Sequence, residues 1–115
     1  MNIDFTFKNF EPSEHLKKYA RRRFEKITRF LGKSPALQMQ VILSVDKFHH
    51  KAEISLTGEG LNINAAESSK DMYATIDMIS DKISSQVRRS SEKLHSRQKS
   101  RDVNVDIYSY DILEE

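Results

Sequence analysis

The residues best placed to do chemistry in this chain are bases gathered into two groups. Lys82, Arg88, Arg89, Lys93, Arg97, Lys99 and Arg101 crowd the segment 82–101, with Glu92 as the one acid among them. Lys82, Gln86, Arg89, Lys93 and Arg97 recur every three or four positions, so on a helix they form one stripe. Lys17, Lys18, Arg21, Arg22, Lys26 and Arg29 form a second group, with Lys18, Arg22, Lys26 and Arg29 in line. Concentrated like charge costs a domain stability, so its presence points to an anionic partner. Phosphates suit it, and Arg can grip them with two parallel hydrogen bonds. A merely solvated helix face is the plain alternative. The sorting of acids elsewhere argues against it: 34–81 holds three Lys against seven acids, and 102–115 holds five acids with no base. RNA is the expected partner.

Other chemistries find little support. No G-x-S-x-G, phosphate-binding glycine loop or H-E-x-x-H occurs, and there are only three Gly. Phe48-His49-His50 is expected in the loop before the third strand, where two adjacent His lack a third ligand, so no metal site is predicted. Asp77 and Asp81 lie one turn apart on a helix flank, within reach of ordinary ion pairing with Lys70 or Arg88. Tyr73 is expected at the edge of a helix–sheet core. No enzyme, cofactor or small-molecule substrate is indicated.

The 115 residues suffice for one domain with a modest core. Hydrophobic residues make up 37% and charged residues 31%, the balance of a small domain with a charged exterior. The absence of Cys fits a reducing compartment. No apolar run is long enough to span a membrane, and the opening residues alternate rather than forming a leader. A cytoplasmic protein is expected.

These groups must be carried by regular elements. Asn2 to Lys8 alternates, with Ile3, Phe5 and Phe7 on one face, as a half-buried strand does. Ser13 is a predicted N-cap for a helix reaching about Leu31 and closed by Gly32, with Leu16, Ala20, Phe24, Ile27 and Leu31 as its apolar stripe. Strands follow over 37–45, 51–57 and 61–65, the last two joined by Gly58-Glu59-Gly60. Ser68 and Asp71 have capping-box spacing for a second helix whose stripe is Met72, Ile76, Ile79, Ile83 and Val87. The predicted architecture is α+β, in the order β-α-β-β-β-α. Both helices cover one face of a four-stranded sheet, as in double-stranded-RNA-binding domains. Residues 1–101 form the domain and 102–115 a short acidic tail.

The stretch K-D-M-Y-A-T-I-D-M-I-S-D-K-I at Lys70–Ile83 resembles the second helix of bacterial ribosome hibernation factors. These comprise the hibernation promoting factor and ribosome-associated inhibitor A family. Asp71-Met72-Tyr73, Ile76-Asp77, Asp81-Lys82-Ile83 and Gln86-Val87 keep the family's order. The likeness extends to Pro12-Ser13 and Ala65-Ala66-Glu67 and covers about residues 1–100. It implies binding to the small ribosomal subunit in the mRNA and tRNA channel, through rRNA contacts made by two basic helices. Inhibition of translation under stress or in stationary phase would follow. The resemblance further implies a monomer away from the ribosome. The chain would be a short form, or the N-terminal domain of the family's long form. The competing reading is a double-stranded RNA-binding domain acting on other structured RNA. Such domains usually carry a Lys-rich start to the last helix, where this chain has Ser69-Lys70-Asp71.

Overall fold

The computed structural model describes residues 2–27, 31 and 36–98, with side chains through Ser90. Its elements are β1 (Asn2–Lys8), α1 (Glu14–Glu25), β2 (Gln38–Asp46), β3 (His49–Gly58), β4 (Leu61–Ser69) and α2 (Met72–Gln98). The α+β order β-α-β-β-β-α is the one the alternation patterns predict. The four strands lie in chain order across one sheet. β1 runs parallel to β2, and β2, β3 and β4 form an antiparallel meander. A parallel neighbour cannot be reached by a tight turn, so α1 serves as the crossover.

Strand periodicity sorts the side chains. Met39, Val41, Leu43, Ala52, Ile54, Leu56 and Ile63 point to one face and are buried. They meet Leu16, Ala20, Phe24 and Ile27 from the α1 segment and Met72, Ile76, Ile79, Ile83 and Val87 of α2. α1 covers the β1 side, where the Phe24 ring stacks on Phe5 with centroids 6.2 Å apart. The opposite sheet face carries the polar alternates, including Gln40, Ser55 and Asn64 in one cross-strand row.

Local details depart from expectation in three places. Ser13 does cap α1, its Oγ accepting from the Leu16 amide at 3.1 Å. The helix nevertheless stops at Glu25 and tightens over residues 26–27, which keeps Ile27 in the core. Leu31 is a turn residue, and the predicted cap Gly32 lies outside the described residues. Ser68 is not a helix cap but a β4 residue paired with Lys51. Asp71 takes that role alone, its Oδ2 accepting from the Ala74 amide at 3.0 Å. His49 and His50 are not loop residues, because the hairpin turn is only Lys47-Phe48 and both His already pair in β3. The tail 102–115 lies outside the described residues.

Candidate nucleic-acid interface

The two helices pack in parallel and in register, their side chains meeting across pairs 58 positions apart. His15 Nδ1 meets the Tyr73 hydroxyl at 2.9 Å. One turn on, the Tyr19 hydroxyl donates to Asp77 Oδ1 at 2.5 Å. Arg23 Nε lies 3.1 Å from the same oxygen, and its Nη2 reaches Asp81 Oδ1 at 3.4 Å. The Tyr19 and Tyr73 rings close the seam edge to face, 5.2 Å apart. The hydrogen bond to Asp77, reinforced by burial, pushes the Tyr19 phenol above its usual 10.0. Asp77 and Asp81 are therefore the α1-facing line of α2, with Arg23 bridging them. Nothing local in the sequence marks Arg23, because its partners sit across the helix pair.

This seam separates the two predicted cationic lines. Lys82 projects to the other flank, where it pairs with Glu67 of β4 at 3.2 Å. Arg89, seven residues on, shares that flank and is exposed. On α1, Lys18, Arg22 and Lys26 are exposed on the outward side of the seam. Arg22 is near enough for its charge to act on the Tyr19 phenol. Lys18, Arg22, Lys26 and Arg89 form no ion pair among the described residues. Lys17 pairs with Glu14 at 2.9 Å, which draws the Glu14 carboxyl below its usual range. Arg21 is partly engaged, its guanidinium 5.1 Å from the Phe5 ring centroid and 3.9 Å from Glu25. Arg29 and the side chains of Lys93 and Arg97 lie outside the described residues, although the backbone at 93 and 97 is helical. The surface thus reads as two positive ridges flanking a narrow, net acidic seam. Ridges so placed suit phosphates from two separated backbone segments better than one continuous strand.

No group of three or more His, Asp or Glu able to hold a metal occurs among the described residues. No helix among them is long and apolar enough to cross a membrane.

Comparison with known proteins agrees with this architecture. The ribosome hibernation promoting factor of Escherichia coli K12 is 31% identical over 94 residues, spanning 82% of this chain and 97% of that protein. The ribosome hibernation promotion factor of a Picosynechococcus strain is 37% identical over 92 residues, and the match spans 46% of that longer protein. Among solved structures, the N-terminal domain of Thermus thermophilus Protein Y superposes with a TM-score of 0.69 at 28% identity, covering 77% of this chain and 98% of that one. A ribosomal subunit interface protein from Coxiella burnetii shares the fold, with a TM-score of 0.67 at 22% identity. Residues 3–95, most of the chain, match the family described as Sigma 54 modulation protein / S30EA ribosomal protein, and the chain belongs to that family.

Proposed function

We propose that this protein is a ribosome hibernation factor, a non-enzymatic regulator that binds the small ribosomal subunit and inhibits translation under stress or in stationary phase. Family membership and the hibernation factors among its relatives support the ribosome as partner. The observation that carries the mode of binding is the pair of ridges, with exposed cations on each of two parallel helices. Lys18, Arg22 and Lys26 on α1, and Lys82 and Arg89 on α2, would meet rRNA phosphates, joined by Lys17, Arg21, Arg29, Lys93 and Arg97. Seated in the mRNA and tRNA channel, the domain would exclude both ligands by occupancy, with no chemical step. It would act as a cytoplasmic monomer away from the ribosome. The competing double-stranded RNA reading fares worse, because the first turn of α2 opens on Asp71, whose carboxylate caps the helix instead of leaving basic groups there.

Co-sedimentation with purified small subunits at two salt concentrations tests this. Arg22→Glu with Arg89→Glu changes one exposed cation on each ridge. Lys8→Glu with Lys51→Glu makes the same charge change in one row of the uncovered sheet face. The ridge pair should abolish most binding and flatten the salt dependence, by roughly 0.7–0.9 in log–log slope for each phosphate no longer neutralised. Equal weakening by the sheet-face pair would overturn the assignment of the helices as the binding surface.

A further inference from the structure

The β2–β3 hairpin tip presents a feature that neither ridge uses. Phe48 is 80% exposed, the most exposed large hydrophobic residue among the described ones. It sits in the two-residue turn with Lys47, whose φ of 58° is a left-handed conformation that non-glycine residues seldom hold. Beside it opens a cavity of about 370 Å³ lined by Lys47, Phe48, His50 and Lys70. Lys47 and Lys70 form no ion pair among the described residues. His50 Nδ1 is buried there without a hydrogen-bond partner. The tip is held in place, since Thr75 Oγ1, at the start of α2, donates to the His50 carbonyl at 2.9 Å. Of the nearby acids, Asp71 spends its carboxylate on the Ala74 amide, and Asp46 faces His49 across the ladder.

The cavity beside Phe48 is lined by two lysines and a histidine, so a partner seated there meets positive charge as well as apolar surface. An exposed flat ring flanked by two lysines matches an unpaired nucleotide: the base stacks on Phe48 and the lysines take its phosphates. We infer that the hairpin tip is a second RNA-binding point, at which Phe48 stacks on an unpaired base of single-stranded RNA. It lies at the N-terminal end of both helices, about 25 Å along α2 from Arg89 at 1.5 Å per residue. The inference rests on the proposed ribosomal function only for which RNA supplies the base.

The chain has no Trp, so Phe48→Trp introduces a single fluorescent reporter on an exposed site. Two titrations are made, one with small ribosomal subunits and one with an unstructured RNA of about eight nucleotides, within the usual site size of stacking modules. Phe48→Ala should weaken binding about 5- to 100-fold in both, the usual effect of removing the ring beneath one stacked base. Phe48→Trp should retain affinity, with its emission quenched on binding. Lys47→Ala with Lys70→Ala should lower the salt slope by roughly 0.7–0.9 for each phosphate no longer neutralised. Unchanged affinity of Phe48→Ala toward both ligands would overturn the inference. So would Trp emission that brightens and shifts to the blue on subunits while ignoring the oligonucleotide, which marks a protein pocket. If the unmutated protein fails to bind small subunits, the ribosomal reading falls, and the oligonucleotide titration alone decides whether Phe48 stacks on a base.

Discussion

At the residue scale, the seam between the helices is the least expected feature, and it governs how substitutions should behave. Tyr19→Phe removes one partly buried hydrogen bond to Asp77 and should cost about 1 kcal/mol by urea denaturation at neutral pH. It should also change the response to alkali. The fold favours the protonated phenol, so its contribution is complete below about pH 10 and declines as pH climbs through the raised value. The stability difference between Tyr19→Phe and the unmutated protein should therefore shrink at high pH. A constant difference would detach the phenol from Asp77. Asp77→Lys with Asp81→Lys is not a neutral charge reversal on a free flank, since it sets two ammonium groups against Arg23. A loss of about 1–3 kcal/mol is expected, mostly from Asp77, because the Asp81 side chain is 82% exposed and well screened. Urea midpoints of the two single variants would check that ranking.

Elements follow the apolar pattern closely. Ile79 and Ile83 are fully buried, so either change to Ala should cost about 2–5 kcal/mol, while Asn62→Ala on the open face should stay within about ±0.5. The β3–β4 turn gives a sharper contrast. A Cβ on Gly58 would sit 2.2 Å from the Ala36 carbonyl oxygen, at φ 115°, so Gly58→Ala should cost about 2–4 kcal/mol. Gly60 has φ 82° and open space around it, and its change to Ala should cost about 1–2 kcal/mol. Equal thermal shifts for the two would contradict the close approach of the Ala36 segment. Strand faces, the Ser13 cap and both apolar stripes are legible because each is written in residues close together in the chain. The two His escape a sequence reading because a turn of only two residues leaves little room for a loop signal. Ser68 misleads because its spacing to Asp71 mimics a capping box while its backbone is engaged by Lys51. The basic lines are legible as well, but which flank of each helix meets the other is not. That depends on the hand of the β1-α1-β2 crossover, which no single helix encodes.

For the whole molecule, the family match ends at residue 95, short of the acidic segment 102–115. On charge alone that segment should avoid rRNA, so truncation after Arg101 should leave subunit affinity unchanged or slightly higher. A large drop on co-sedimentation would give the tail a docking role. The sheet itself has an uneven history built into its order. β2, β3 and β4 are joined by tight turns, whereas β1 finds β2 only after the chain has passed through α1, Asn2 pairing with Gln38. Closing that long loop costs entropy before any ladder bond repays it. The meander with α2 should therefore form first, and β1 should dock late and at an edge. Amide hydrogens of β1 should accordingly exchange through partial opening, sooner than those of β2 and β3, which exchange near the global limit. The strand that begins the chain would then be among the last parts of the sheet to form and the first to let go.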